Sequence, residues 1–78
     1  DEIEQLFKNA FTDYDFACTG EDDDLRIFTT ADASQRDRLE DFLIKKTSLH
    51  PATFSIRTID AISKNSSGKT QYPLLKEL

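Results

Sequence analysis

The sequence predicts one small α+β domain over residues 1 to 78, in which a mostly antiparallel three-stranded sheet has helices packed against it. Seventy-eight residues are enough for a single hydrophobic core but not for a second domain. Apolar residues recur at helical spacing near the start and in the middle of the chain, and three β-prone segments lie between and after them. Helical and strand patterns in this order are typical of an α+β domain.

The first third of the chain predicts a helix followed by a hairpin. Apolar residues return every three or four positions over roughly residues 1 to 11. They are Ile3, Leu6, Phe7, Ala10 and Phe11. Residues 14 to 19 and 25 to 30 are β-prone and flank residues 20 to 24, which are polar and strongly acidic. A solvated turn is favoured there over a calcium loop, because the alternating ligands, central glycine and closing glutamate of an EF-hand are missing.

A second helix is predicted from about Asp32 to about Thr47. Asp32 followed three residues later by Gln35 resembles a capping box, in which both side chains bond to backbone N–H groups at the helix start. Pro51 ends this helix or follows its end closely. The apolar face of the helix is formed by Leu39, Phe42 and Leu43.

The last third predicts a strand, a polar loop and a short terminal helix. The strand is indicated by alternating residues, which are Phe54, Ile56 and Thr58. Pro73 suits the first turn of the terminal helix. That helix carries Leu74, Leu75 and Leu78.

Charge and composition narrow the classes of function. The net charge of -5 argues against a general nucleic-acid binder, although acids crowd the first third and bases predominate from Lys45 onward. An anion would therefore meet the C-terminal end. The sequence has no apolar run for a membrane span, and the lone Cys18 suggests a reducing compartment, so we expect a cytoplasmic location. Because the chain lacks methionine and starts inside a helix, we expect it to be part of a larger protein.

Two other chemistries are set aside. A phosphate-binding P-loop would end in Gly68-Lys69-Thr70, but Ser63 occupies the place of its first glycine and no long helix follows. A catalytic pair of Cys18 and His50 lacks a third group to orient it, so we interpret both residues as structural.

The loop from Lys64 to Thr70 combines turn-forming residues with a lysine. The turn formers are Asn65, Ser66, Ser67 and Gly68. Lys69 leaves this turn as a compact charge on a flexible stem. From these residues alone, the favoured interpretation is a solvated turn whose lysine has no function.

Residues 59 to 75 resemble the last conserved signature of the adenylate-forming enzymes, which include acyl-CoA synthetases, nonribosomal peptide adenylation domains and luciferases. The match consists of a strand end, a basic residue, a turn, Gly68-Lys69 and a short apolar helix. Residues 1 to 4 also resemble the helix start that follows the hinge between the two domains of the family. The separation of these two matches suits the family's C-terminal lid domain, so the resemblance spans the whole chain.

The sequence departs from the family pattern at two places. Ser63 stands where the family usually has proline before the basic residue of the signature. Gln71 and Tyr72 follow Lys69 where many members carry arginine. The branch of the superfamily is therefore left open.

The resemblance implies a role for each residue of the loop. Lys69 would be the catalytic cation that bonds to the carboxylate and the nucleotide during adenylation. Ser66, Ser67 and Gly68 would support the loop, and Lys64 would contact either the nucleotide or only water, with water favoured. No residue is assigned as a metal ligand.

The resemblance also implies partners and cofactors outside this chain. The parent enzyme would activate a carboxylic acid with ATP and Mg²⁺, both bound mainly by its N-terminal domain. It would then transfer the acyl group to CoA or to the phosphopantetheine of a carrier protein. The isolated fragment would be inactive, with no nucleic acid or membrane as partner. The alternative is a freestanding acidic α+β interaction module without catalysis.

Overall fold

The computed structural model describes residues 2–21 and 23–78, which form an α+β domain around a three-stranded sheet. The elements in order are α1 (Glu2–Ala10), β1 (Phe16–Glu21), β2 (Asp24–Thr29), α2 (Arg36–Thr47), β3 (Phe54–Thr58) and α3 (Tyr72–Leu75). Short 3-10 helices precede α2 and β3, at Ala33–Gln35 and Pro51–Thr53. The predicted fold class, the three strands and the order of the elements are confirmed.

The sheet is mixed rather than mostly antiparallel. Its strand order is β1-β2-β3, and the β1–β2 hairpin is antiparallel whereas β2 and β3 are parallel. The parallel pair arises because α2 connects two neighbouring strands. A helical connection returns the chain to the end of the sheet where β2 began, so β3 must run in the same direction.

The hairpin turn is shorter than predicted. β1 continues to Glu21 and β2 begins at Asp24, so the strands already pair within the segment expected to be a turn. Asp22 lies outside the described residues. Gly20 pairs with Leu25 at φ +95°, and a Cβ at Gly20 would overlap the carbonyl oxygen of Asp24. This position therefore requires glycine.

Helices α1 and α2 cover one face of the sheet and bury an aromatic core. Phe7 is fully buried and stacks on Phe16 with ring centroids 4.9 Å apart, while Phe42 lies 5.4 Å from Phe7. The aliphatic residues of this core include Leu25, Ile27, Leu39, Leu43 and Ile56. The predicted apolar face of α2 is thus confirmed. On α1, Ile3, Phe7 and Phe11 pack into the core as predicted, whereas Leu6 is only half-buried and Ala10 is exposed.

The opposite face is covered by α3 and by the segment before the lysine. Ala17 and Phe28 of the sheet contact Ile62 and Leu75 in this second core. β1 is therefore buried on both faces from Phe16 to Thr19, and β2 is buried on both faces from Ile27 to Thr29. The polar loop between residues 62 and 75 is consequently anchored at both ends by buried side chains.

The start of α2 differs from the prediction. Asp32 makes no side-chain cap, because the chain first forms the 3-10 helix and the α-helix begins only at Arg36. The side chain of Gln35 accepts a hydrogen bond from Arg38 instead of bonding back to the backbone. The predicted capping box is therefore wrong. The predicted end at Thr47 is confirmed, since Ser48 follows in the left-handed conformation at φ 61°.

Within residues 2–21 and 23–78, no helix is both long and apolar enough to cross a bilayer.

Candidate functional site

The segment from Lys64 to Thr70, called the lysine loop below, is a closed hairpin turn. Its two end residues pair as an isolated antiparallel bridge. Inside it, the N–H of Gly68 donates to the carbonyl of Asn65, and the N–H of Asn65 donates to the carbonyl of Lys69, both at 2.9 Å. Gly68 has φ +80°. A tight turn followed by a left-handed glycine is a common hairpin connection, so the loop is ordered by its own backbone.

Asn65 holds the loop together through its side chain. Its Oδ1 accepts hydrogen bonds from the N–H groups of Ser67 at 2.9 Å and Lys69 at 3.0 Å. The backbone of Lys69 is therefore bonded to Asn65 through both its N–H and its carbonyl. The sequence interpretation counted Asn65 among the turn formers but named only Ser66, Ser67 and Gly68 as supports of the loop. An asparagine at the first position of a turn is the signal for this supporting role.

The predicted loop residues differ in what their side chains contact. Ser66 and Ser67 are exposed at the tip, and within the described chain their hydroxyls make no hydrogen bond. Around Gly68 an added Cβ would meet nothing within 4 Å. Lys69 is exposed and forms no ion pair with any residue from 2–21 or 23–78. Its ammonium group is thus available to an external anion.

Lys64 lies in a different environment from Lys69. Its Nζ is 3.7 Å from Oδ2 of Asp15, and the two side chains are 44% and 55% exposed. An ion pair this long and this exposed contributes little to stability, so it leaves Lys64 largely solvated.

The base of the lysine loop is fixed to the domain. The N–H of Gln71 donates to the carbonyl of Ser63 at 2.9 Å, just outside the terminal bridge. Ile62 and Leu75, on either side, are 7% and 3% exposed. The base of the loop is therefore held to a packed surface, whereas exposed side chains such as that of Lys69 extend into solvent.

A buried carboxylate next to the loop was not predicted from the sequence. Glu4 on α1 is 8% exposed and accepts hydrogen bonds from the backbone N–H of Cys18 at 2.9 Å and from the hydroxyl of Tyr72 at 2.8 and 3.0 Å. Lys8 donates to it at 3.2 Å. These residues are called the Glu4 network below. An acid beside the apolar stripe of a helix was the available signal.

The ionisation of the Glu4 network follows from these contacts. Burial alone would raise the pKa of Glu4, but the hydrogen bonds from Cys18, Tyr72 and Lys8 stabilise the charged form and the net pKa is lowered. Burial and the neighbouring carboxylate raise the pKa of Tyr72 to about 12. At neutral pH the network therefore joins a charged carboxylate to a protonated phenol.

Cys18 and His50 have separate structural roles, as expected. Burial and the charge of Glu4 raise the pKa of the Cys18 thiol to about 12, which leaves it protonated and a poor nucleophile. His50 is exposed, and its Nδ1 accepts a hydrogen bond from the N–H of Ala52 at the start of the Pro51–Thr53 turn.

Other described surfaces offer less chemistry. A hollow of about 250 Å³ lies where the carboxyl ends of β2 and β3 meet, and its lining includes Asp32 and Asp60. Both carboxylates are exposed, and the described residues that line the hollow include no lysine, arginine, histidine or cysteine. Across residues 2–21 and 23–78, no three His, Cys, Asp or Glu side chains converge to hold a metal ion.

Comparison of the chain with protein families, curated proteins and solved structures finds no match. A functional assignment therefore depends on the chemistry and geometry of the lysine loop.

Proposed function

We propose that this chain is the mobile C-terminal domain of an AMP-forming ligase, which activates a carboxylic acid with ATP and transfers the acyl group to a thiol. One observation carries the proposal. The backbone of Lys69 is bonded on both sides to Asn65 in an ordered turn, whereas its ammonium group is exposed and has no described ion-pair partner.

Formation of an acyl-adenylate needs a cation at this kind of position. A carboxylate attacks the α-phosphorus of ATP, so two anions approach each other while negative charge spreads over the phosphoryl oxygens. A lysine ammonium between them would position both groups and stabilise the developing charge. Three donors on a compact charge allow Lys69 to bond to carboxylate and phosphate together.

The rest of the machinery would belong to an N-terminal domain. ATP, Mg²⁺ and the acid would bind there, and CoA or a carrier protein with phosphopantetheine would be the acceptor. The role of this chain would be to bring one charge to that site and remove it again. A rigid loop on a moving domain suits this task, because domain rotation displaces the lysine without loss of its local geometry. ATP chemistry and the free thiol of Cys18 both suit the cytoplasm.

The test is to separate the two half-reactions in the full-length enzyme. With a panel of carboxylic acids, Lys69→Ala should lower acid-dependent exchange between ATP and pyrophosphate by about 10²-fold or more, the usual effect of removing one preorganised charge-stabilising group. Transfer from a supplied acyl-adenylate to a thiol should change far less. The reading frame upstream of Asp1 should also encode several hundred residues, as an adenylation domain requires.

Lys46→Ala is the matched control, because Lys46 is also exposed but lies at the end of α2. It should leave both half-reactions near the wild-type rates. Equal losses in the two half-reactions for Lys69→Ala, or an unchanged exchange rate, would refute the proposal.

A noncatalytic interaction module is the second candidate, and one observation favours it. Leu74 and Leu78 are 45% and 52% exposed and four residues apart, so they offer apolar surface to a partner protein. A start codon close to Asp1, together with no ATP–pyrophosphate exchange for any acid, would select this candidate.

A further inference from the structure

We propose that Glu4 is a positioning residue for the lysine loop, acting through the hydroxyl of Tyr72. Its catalytic consequence rests on the function proposed above, whereas its effect on the loop does not. The two residues are 68 positions apart and meet at the edge of the sheet. Neither touches the lysine itself, so both would act on where the loop lies and not on the reacting groups.

Glu4 is placed to join three elements. Glu4 itself lies on α1. It accepts a hydrogen bond from the N–H of Cys18 on the edge strand β1, which points away from β2. It also accepts a hydrogen bond from the hydroxyl of Tyr72 at the start of α3. A carboxylate has lone pairs enough for several donors, whereas a glutamine has one acceptor oxygen and would direct an NH₂ group at one of them. A charged residue is therefore better suited to this junction than its neutral isostere.

Tyr72 is the point at which the lysine loop enters α3. It follows Lys69 by three residues and directly follows Gln71, whose N–H bonds to Ser63 across the base of the loop. Leu75 holds α3 against the second core, one turn farther along. The Tyr72 hydroxyl therefore fixes the first turn of α3, and with it the direction in which the loop projects.

The first test measures order in the loop of the full-length protein by hydrogen exchange with mass spectrometry. Tyr72→Phe keeps the ring and removes the hydroxyl, and exchange in the peptide covering residues 63–72 should accelerate about 10-fold, as loss of one hydrogen bond allows. Glu4→Gln should give an intermediate acceleration. The peptide covering α2 should not change in either variant.

Tyr14→Phe is the matched control. Tyr14 also packs against a core, but its hydroxyl makes no hydrogen bond to any residue that the structure describes. If Tyr72→Phe exchanges no faster in residues 63–72 than Tyr14→Phe, the positioning role is refuted, whatever the enzymatic activity.

The second test measures the catalytic consequence. Tyr72→Phe should lower kcat of ATP–pyrophosphate exchange about 10-fold with KM for ATP nearly unchanged, because a displaced lysine weakens the transition state more than nucleotide binding. Glu4→Gln should retain more activity than Glu4→Ala, and adding Tyr72→Phe to Glu4→Ala should cause little further loss.

The two proposals can fail separately. Faster loop exchange with unchanged kcat would refute a catalytic role for the positioning. An exchange reaction that survives Lys69→Ala would refute the proposed function, while the hydrogen-exchange comparison would still decide whether Glu4 orders the loop. Loss of activity in Lys69→Ala together with wild-type loop exchange in Tyr72→Phe would refute only the present inference.

Discussion

Replacement of Glu4, a buried charged residue, by alanine should destabilise the domain. Glu4→Ala removes the acceptor used by a backbone N–H, a phenol and an ammonium group, while leaving the surrounding apolar residues in place. The result depends on how well each donor that loses its acceptor can reach water, and the donors among the described residues differ in this respect.

The magnitude can be worked out donor by donor. The N–H of Cys18 is buried, and leaving it without a partner costs about 1–3 kcal/mol. The half-buried Tyr72 hydroxyl adds about 0.5–1.5 kcal/mol. Lys8 is 42% exposed and contributes about 0.5 kcal/mol or less. The alanine variant also no longer buries the charge of the Glu4 carboxylate, and this gain offsets roughly 1 kcal/mol of the sum. We therefore expect a loss of about 2 kcal/mol, the middle of a range of about 0.5–4 kcal/mol, which is a large fraction of the few kcal/mol that stabilise a small domain.

Urea unfolding monitored by circular dichroism measures this loss directly. In thermal unfolding, a loss of about 2 kcal/mol should lower Tm by about 8–16 °C in a domain of this length. Glu4→Gln, which keeps one acceptor oxygen, should lose about 1 kcal/mol. Gln5→Ala is the control on the same helix, and it should change stability by less than about 0.5 kcal/mol, since among the described residues the side chain of Gln5 bonds only to the exposed side chain of Asn9. A loss below about 0.5 kcal/mol for Glu4→Ala would mean that water replaces its contacts, and the reasoning would be wrong.

Three further predictions follow from the packing and the charges. Because the folded-state pKa of Glu4 is lowered from 4.5, its contribution is complete above that pH and is lost as pH falls through the lowered value. The stability difference between wild type and Glu4→Gln should therefore shrink in acid, and a constant difference down to pH 2 would contradict this. Gly20→Ala should destabilise the domain by about 2 kcal/mol or more, because the new Cβ meets the backbone of Asp24 and the conformation of residue 20 is left-handed. A change as small as that of an Ala substitution at an exposed position would show that the backbone at residue 20 is not strained by a side chain. Phe7→Ala should cost about 3–5 kcal/mol of folding free energy, measured in a stabilising osmolyte if the variant does not fold in buffer. A cost under about 1 kcal/mol would show that the aromatic core collapses around the gap.

Local patterns in the sequence predicted most of the elements correctly. The repeat of Ile3, Phe7 and Phe11 marks α1, the alternation in residues 54–58 marks β3, and Pro73 marks the start of α3. The lysine loop was predicted as a polar turn and is one. These features depend on neighbours within about four residues, so periodicity and turn chemistry are sufficient to find them.

Local patterns misled where the backbone had an alternative with similar energy. Asp32 and Gln35 have the spacing of a capping box, but a 3-10 turn satisfies the backbone there without their side chains. The acidic residues 20 to 24 suggested a long turn, whereas Gly20 and its partner Leu25 extend the hairpin almost to its tip. Residue preferences at such places differ by about 1 kcal/mol or less, which pairing across a sheet easily outweighs.

Composition, periodicity and turn chemistry were enough to establish an α+β chain with an exposed lysine in its last polar loop. The direction of β3, the burial of Glu4 and its bond to Tyr72 appear only when the chain is folded, because they join residues far apart in sequence. The energy of such contacts depends on which groups are excluded from water together, and that is a property of the packed domain. The same packing decides that Lys64 lies beside Asp15 while Lys69 is left open to solvent.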